Sequence, residues 1–321
     1  MTDLALVRKA PILDPRKFRD PDVTADGEPR GVVLFSGLKT LWINTGTLCN
    51  LTCEHCYIES SPTNDRLVYL TASDVAPYLD EIETHKFPTE EIGFTGGEPF
   101  MNPDIMEMLE DSLARDFRVL VLTNAMRPML RHKEALSKLK ETFSKKLVIR
   151  VSLDHYSKVL HESERGKDTY EKTVDGLAWL SKAGFSVRVV GRTCWGEPVD
   201  DMREGYHRLF HIHGISVDAE NEEMLALFPE MDATVDVPEI TQDCWKTLDV
   251  EPRHLMCTRS RMVVKRKGAE NSVVLACTLV AYDPEFEMGK TLVESTGPVK
   301  LNHPHCSRFC VLGGGSCSKA S

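Results

Sequence analysis

The sequence of 321 residues lacks any unbroken apolar run near the roughly 18 residues that a membrane-spanning helix needs. Its first residues also lack the apolar core and the small-residue cleavage site of a secretory signal peptide. Basic residues are in the minority, with 39 Lys and Arg against 49 Asp and Glu. Such a balance offers no broad positive surface to nucleic-acid phosphates. We therefore expect a cytoplasmic protein that has no membrane contact and no broad nucleic-acid footprint.

Cysteine is plentiful, and most of the ten cysteines fall into two groups, near the start and near the end of the chain. Their short spacings favour metal binding in a reducing compartment over disulfides. The first group lies in Cys49-Asn50-Leu51-Thr52-Cys53-Glu54-His55-Cys56-Tyr57. Three thiolates hold only three irons of a [4Fe–4S] cluster, whereas an electron-transfer cluster normally takes four cysteines. One iron would stay open for another ligand.

The alternative for these cysteines is a structural zinc ion, with His55 as a fourth ligand. Zinc ribbons and fingers usually pair two short knuckles, however, and this run has no second knuckle nearby. The segment Gly96-Gly97-Glu98-Pro99 follows about forty residues later. Taken alone, it is equally typical of a turn between a strand and a helix, because glycine tolerates unusual dihedrals and close contacts.

Together, the Cys-x3-Cys-x2-Cys run, the aromatic residue after it and Gly-Gly-Glu-Pro resemble the radical S-adenosylmethionine (SAM) superfamily. The resemblance implies a [4Fe–4S] cluster on Cys49, Cys53 and Cys56, whose open iron chelates the amino and carboxylate groups of SAM. Reductive cleavage of SAM would give a 5′-deoxyadenosyl radical that abstracts hydrogen from a substrate. A reducing partner such as a flavodoxin or a ferredoxin would supply the electron.

The same resemblance assigns SAM contacts at the ends of the first three strands. Gly96, Gly97 and Glu98 would meet the methionine amino group, and a carboxylate opposite an ammonium is a charge-assisted hydrogen bond. Thr123-Asn124-Ala125 resembles the third-strand segment of the family and places Asn124 near the methionine end of SAM. Tyr57 would contact adenine through its backbone.

A further group of SAM contacts is expected after the fourth strand. Ser152-Leu153-Asp154, followed by Glu164-Arg165-Gly166, resembles family members that carry a SPASM or twitch extension. The resemblance implies ribose contacts from Ser152 and its neighbours, and an ion pair between Arg165 and the SAM carboxylate. His155 stands where those members usually have glycine, so the local turn differs. An ordinary ion pair at a helix start is the alternative for Asp154 and Arg165.

Strand and helix patterns alternate along most of the chain. Strands are expected at 91–95, 117–123, 147–154 and 186–190, and helices at 71–83, 104–115, 128–142, 169–183 and 202–213. Successive βα units with apolar strands indicate a parallel sheet with helices outside it. Six or so units do not close an eight-stranded barrel, so we expect an α/β fold, the partial (β/α)6 TIM-type barrel that the resemblance implies. Its active site should lie at the carboxyl ends of the strands.

Five cysteines lie in the last sixty-five residues: Cys257, Cys277, Cys306, Cys310 and Cys317. The first two bracket β-rich runs at 262–264 and 272–275, which predict a hairpin. A hairpin with a cysteine at each end, followed by Cys306-x3-Cys310, resembles the SPASM or twitch fold and implies a small C-terminal iron–sulfur module. We expect one auxiliary [4Fe–4S] cluster, held by the first four cysteines. Cys317 is an alternative fourth ligand, a catalytic thiol or a free cysteine, and a structural zinc is the alternative for the group.

These patterns divide the chain into an extended leader (1–30), the barrel (31–220), a linker (221–244) and an auxiliary-cluster domain (245–321). An apolar segment at 32–43 predicts a hairpin or strand pair leading to the first cysteine. We expect an enzyme that oxidises, rearranges or joins bonds in a small molecule or a peptide. A maturase for peptides or sulfatases is one alternative. A non-catalytic metal-binding scaffold or regulator is another.

Overall fold

A mainly parallel sheet lies at the centre of the computed structural model, which describes residues 11–315. In chain order the strands are β1 (Val32–Val33), β2 (Thr40–Asn44), β3 (Glu91–Thr95), β4 (Arg118–Thr123), β5 (Leu147–Ser152), β6 (Ser186–Arg192), β7 (Leu225–Phe228), β8 (Ser260–Val264), β9 (Val273–Leu275) and β10 (Val299–Lys300). Eight of them form one open sheet in the order β7-β6-β5-β4-β3-β2-β8-β9. All neighbours in it are parallel except β8 and β9.

The helices follow the strands as the alternating pattern predicts. They are α1 (Ala72–Thr84), α2 (Ile105–Ala114), α3 (Arg127–Leu130), α4 (Lys133–Phe143), α5 (Lys158–Arg165), α6 (Tyr170–Lys182), α7 (Val199–His213) and α8 (Cys244–Thr247), with a π-helix at Cys306–Val311. The sequence predicts one helix at 128–142, where the structure has α3 and α4, and it misses the short α5. No helix between residues 11 and 315 is long and apolar enough to cross a bilayer.

Alternate strand residues enter two apolar clusters on opposite faces of the sheet. Val119 and Val121 of β4 lie in the larger cluster, which also contains helix residues such as Leu109. Leu120, between them, lies in the second cluster with Trp42 of β2. This alternation follows from the two-residue period of a strand. Because both faces are buried, the strand sequences are almost continuously apolar.

The sheet extends beyond the predicted end of the barrel at residue 220. β7 lies inside the predicted linker 221–244 and pairs in parallel with β6. That part of the linker prediction is wrong, because β7 has only four residues and acidic residues and proline border it. The strands β2 to β7 supply the six parallel strands of the expected partial barrel.

The apolar segment 32–43 does not form the expected strand pair with itself. β1 pairs with β10 in a separate small sheet, and β2 pairs with β3 and β8. The prediction is wrong because two apolar runs close in sequence look like a hairpin, whereas their partners come from distant segments. The C-terminal hairpin is present as predicted, since β8 and β9 are antiparallel with Val263 opposite Val274.

Residues 11–30 contain no helix or strand, but they are fixed to a later segment of the chain. Ile12 forms a bridge with Val235, and Arg30 forms one with Thr241. The Arg30 side chain is buried, and its Nη2 lies 2.7 Å from Glu239 Oε1. This part of the predicted leader is therefore packed against the segment that leads into the C-terminal region.

We predict that Gly93→Ala destabilises the sheet. Gly93 of β3 lies opposite Trp42, and an added Cβ would lie 2.4 Å from the buried indole ring. Overpacking of this kind costs about 1–3 kcal/mol of unfolding free energy. Chemical denaturation measures the loss. Gly297→Ala is the control, since its Cβ would lie 3.6 Å from its nearest neighbour. Equal stability of the two variants would contradict the packing described for this face.

Candidate functional site

A cavity of about 160 Å³ lies at the carboxyl ends of the parallel strands. Thr95 ends β3, Asn124 follows β4, Ser152 ends β5 and Arg192 ends β6, and all four line it. The location matches the expectation for a barrel of parallel strands. The cavity gathers nearly all residues predicted to hold the cluster and SAM, namely Cys49, Cys53, Cys56, Tyr57, Gly96, Gly97, Asn124, Ser152, Asp154 and Arg165.

The three cysteines of the first group line the cavity as free thiols. Burial raises the pKa of the Cys49 thiol to about 12, although a backbone N–H from Leu51 lies 3.4 Å from its sulfur. Beside them, the buried hydroxyl of Ser60 has no hydrogen-bond partner among the described residues. Free thiols and an unsatisfied hydroxyl facing one cavity fit a bound group that supplies the missing partners.

The zinc alternative gains no direct support from this geometry. Among residues 11–315, no three His, Cys, Asp or Glu side chains converge on a site for a single metal ion, and this includes Cys49, Cys53 and Cys56. The His55 ring, the proposed fourth zinc ligand, is engaged elsewhere, since its Nδ1 lies 2.9 Å from Glu164 Oε2.

The two glycines bring the end of β3 against the segment that leads into Cys49. The Gly97 N–H donates to the Gly46 carbonyl at 2.8 Å. A Cβ on Gly97 would lie 2.2 Å from the Leu48 carbonyl oxygen, and Gly96 has φ +137°. Larger residues would therefore push the segment with Cys49, Cys53 and Cys56, the cysteine segment, away from the end of β3. This strand end needs glycine for that reason.

Glu98 does not line the cavity, in contrast to its expected contact with the SAM amino group. Its buried carboxylate accepts hydrogen bonds from Thr123 Oγ1 at 2.8 Å, from Asn124 N at 2.9 Å and from Phe100 N at 3.2 Å. Burial raises its pKa to about 7, although these three donors favour the charged form. The carboxylate thus joins the ends of β3 and β4, and its contact with SAM stays a prediction.

Asp154 and Arg165 form a two-pronged ion pair at the edge of the cavity. Arg165 Nε lies 2.6 Å from Asp154 Oδ2, and Nη2 lies 3.0 Å from Oδ1. Burial would raise the pKa of Asp154, but the charge and hydrogen bonds of Arg165 outweigh it, and the pKa is lowered. The guanidinium also interacts favourably with the thiolate forms of Cys53 and Cys49. Asp154 therefore fixes the Arg165 guanidinium on the side of the cavity where the thiolates of Cys49 and Cys53 would lie.

A network of charged residues that the sequence analysis did not assign supports the cysteine segment. Glu164 Oε1 lies 2.6 Å from Arg192 Nη1, and the same oxygen accepts the His55 backbone N–H at 2.9 Å. Arg192 Nη2 lies 2.6 Å from Glu230 Oε1. The main signal in the sequence is that Glu164 adjoins Arg165 and that Arg192 lies just beyond a predicted strand end.

The four C-terminal cysteines expected to hold an auxiliary cluster also line one pocket. It is small, about 20 Å³, and almost entirely apolar, and its wall includes Cys257, Cys277, Cys306 and Cys310. Burial raises the pKa of the Cys306 thiol, and the neighbouring thiols Cys277 and Cys257 raise it further. Four cysteine side chains that line one pocket fit a cluster. Cys317 lies outside the described residues.

His305 lines the same pocket. It is buried, and its Nδ1 has no hydrogen-bond partner among the described residues. Burial lowers the pKa of the ring to about 3. The ring belongs to the residue directly before the π-helix that carries Cys306 and Cys310.

The two cysteine pockets have one apolar lining residue in common. Leu279 lines both of them. Phe309, between Cys306 and Cys310, lines the larger cavity, and its ring meets that of Phe228 edge-on at 5.2 Å.

A sequence model of the Radical SAM superfamily matches residues 43–209, more than half of the chain. The chain belongs to the radical SAM superfamily. The match covers the first cysteine group, the Gly-Gly-Glu segment and the strands β3 to β6.

Curated relatives of this radical SAM protein match about half of its length. The subtilosin biosynthesis protein AlbA of Bacillus subtilis is 37% identical over 44% of this chain and 30% of its own. The mycofactocin maturase MftC of Mycolicibacterium smegmatis is 28% identical over 49% and 38%. The AdoMet-dependent heme synthase of Methanosarcina barkeri is 29% identical over 44% and 38%. The aligned segment thus spans about a third of each relative.

Solved structures share the fold at low sequence identity. Streptococcus suis SuiB bound to S-adenosylmethionine superposes with a TM-score of 0.58 at 13% identity, over 80% of this chain and 64% of that one. The protein anSMEcpe with bound AdoMet gives a TM-score of 0.56 at 13% identity, over 80% and 79%. These likenesses confirm the α/β fold with a mainly parallel sheet.

We predict that Glu164→Gln loosens the cysteine segment of this radical SAM protein. The variant removes one charge from a buried pair, which costs about 3–5 kcal/mol of stability. The iron bound after anaerobic reconstitution should fall, because His55 and Arg192 lose a common partner. Glu162→Gln, on the same helix but more exposed, is the matched control. Equal iron contents in the two variants would show that Glu164 does not position the cysteines.

Proposed function

We propose that this protein is a radical SAM enzyme that cleaves SAM at a cluster held by Cys49, Cys53 and Cys56 and acts on a peptide. The observation that carries the proposal is the single cavity at the strand ends, which contains these free thiols and the residues expected to hold SAM. When bound, the cluster and SAM would supply an electron and the 5′-deoxyadenosyl radical.

The residues of the chain bind and orient the reactants. Gly96 and Gly97 leave backbone accessible at the cavity wall, where a Cβ would collide with the cysteine segment. Arg165, held by Asp154, offers a fixed cation to a carboxylate or to anionic sulfur. Asn124 donates to Asn50 Oδ1 at 2.9 Å and so ties the end of β4 to the cysteine segment. The apolar side chains Phe228, Met231 and Leu279 also line the cavity and would limit the access of water to a bound substrate.

A peptide substrate is supported by the relatives. AlbA is named for the biosynthesis of a bacteriocin, MftC is named a maturase, and SuiB has been solved bound to the precursor peptide SuiA. A small-molecule substrate is the second candidate, which the heme synthase of Methanosarcina barkeri supports at 29% identity. We favour the peptide because AlbA shows the higher identity, 37%.

The pocket of C-terminal cysteines would hold one auxiliary [4Fe–4S] cluster. Cys257 and Cys277 flank the β8–β9 hairpin, and Cys306 and Cys310 come from the π-helix. The shared Leu279 wall places this pocket beside the reaction cavity. The auxiliary cluster would accept the electron left after hydrogen abstraction or bind the substrate directly. A flavodoxin or ferredoxin would reduce the first cluster.

The first test compares the wild type with a Cys49→Ala/Cys53→Ala/Cys56→Ala variant after anaerobic reconstitution. We expect about eight irons in the wild type and about four in the variant, since each cubane holds four irons. With a strong reductant and SAM, 5′-deoxyadenosine should form in the wild type alone. Equal formation in the variant would refute the assigned cysteines, and no formation in either would favour a non-catalytic scaffold.

A second test identifies the substrate class through the hydrogen that is abstracted. Candidate precursor peptides encoded beside the gene are prepared with deuterated amino acids and incubated with the reconstituted enzyme and SAM. Transfer of deuterium into 5′-deoxyadenosine, measured by mass spectrometry, is the expected result. No transfer from any peptide, together with transfer from a deuterated porphyrin precursor, would favour the small-molecule alternative.

A further inference from the structure

Arg261 of β8 is a fully buried arginine, 1% exposed, beside the C-terminal cysteines. Among residues 11–315, its guanidinium donates only to backbone carbonyls. Nε donates to Ser295 at 2.7 Å, Nη1 to Cys257 and Ser260 at 2.7 Å each, and Nη2 to Gly297 at 3.2 Å. The guanidinium also lies over the Phe35 ring, 4.5 Å from its centroid. The N–H groups of the Arg261 guanidinium are therefore well supplied with acceptors, but none of these acceptors carries a negative charge.

The absence of a carboxylate sets Arg261 apart from Arg30, the other arginine among the largest fully buried side chains. Arg30 lies 2.7 Å from Glu239, so its charge is compensated. For Arg261, the groups that favour its charged form are the thiols of Cys257 and Cys277, and no carboxylate within residues 11–315 is among them. An arginine guanidinium keeps its positive charge at neutral pH. A buried charge without a counter-charge is costly, so its retention calls for an anionic partner.

A cluster held by four thiolates would be that partner. Such a cluster carries net negative charge, which increases on reduction, and its potential depends on nearby charge. The Cys257 carbonyl bonds directly to Arg261, so the cation is tied to the backbone of one expected ligand. The pocket itself is almost entirely apolar, which limits screening by water.

We propose that Arg261 is the buried counter-charge of the C-terminal cluster and that it raises the reduction potential of that cluster. The proposal rests on the auxiliary cluster of the proposed function. Arg261 acts through the field at the cluster and is a positioning residue, since it contacts neither substrate nor reacting atoms.

The test uses the full chain with Cys49→Ala/Cys53→Ala/Cys56→Ala, so that the C-terminal cluster alone contributes to the signal. Anaerobic redox titration followed by electron paramagnetic resonance gives its potential. Adding Arg261→Gln removes the charge but keeps hydrogen-bond donors. We expect the equilibrium constant for reduction to fall about tenfold, a potential about 59 mV lower for a one-electron step. Arg266→Gln is the control, because Arg266 lies just past β8, pairs with Glu287 and is part-exposed.

Arg261→Lys separates charge from geometry, because lysine keeps the charge but cannot form the same four carbonyl contacts. For Arg261→Lys, a reduction potential near that of the parent supports the proposal. A tenfold fall in its equilibrium constant for reduction overturns the proposal. An unchanged potential in iron-loaded Arg261→Gln, or an equal fall in Arg266→Gln, also overturns it. So does failure of both Arg261 variants to fold without iron, which would make the role structural. A parent variant that binds no iron would refute the auxiliary cluster itself, and with it this proposal.

Discussion

The parallel pairing of β2 with β3 is the constraint on which the candidate site depends. The pairing continues to Asn44 opposite Thr95, the last residues of the two strands. The chain then enters the cysteine segment from β2 and the Gly-Gly-Glu segment from β3, so the two motifs start side by side. Gly96 and Gly97 allow the remaining approach, because a side chain on either would collide with residues 45–48. The cysteine segment is thereby held against the strand ends before any cofactor binds.

Buried charges fix the other side of the same segment. Asp154 neutralises Arg165, and Glu164 joins Arg192 to His55, so two adjacent residues of α5 act in separate ion pairs. Breaking such a pair leaves a buried charge without a partner, which is far costlier than losing a surface pair. The C-terminal region is joined to this framework through the sheet itself, because β8 pairs with β2. A hairpin that extends the barrel sheet places the second cysteine pocket next to the first.

The sequence predicts local structure well where a short-range physical rule applies. The capping box at Thr71 and Asp74 starts α1, and β3 has its predicted bounds because apolar residues end at two glycines. Long-range pairing is not encoded in such patterns, so the sequence predicts neither the pairing of β1 with β10 nor that of β8 with β2. In the site, the roles of the motif residues could be predicted from their spacing. The roles of Arg192 and Arg261 could not, because they depend on neighbours that are distant in the sequence or absent from any motif. The Glu98 carboxylate shows the same limit, since two of its three donors, Thr123 and Asn124, come from the end of β4.

The central claim is that one open barrel holds two iron–sulfur clusters in neighbouring pockets separated by Leu279. Anomalous diffraction at the iron edge from anaerobically grown crystals of the reconstituted protein tests it most directly. The account predicts two iron peaks, one beside Cys49, Cys53 and Cys56 and one among Cys257, Cys277, Cys306 and Cys310. A single iron peak, or a zinc signal in the C-terminal pocket, would contradict it.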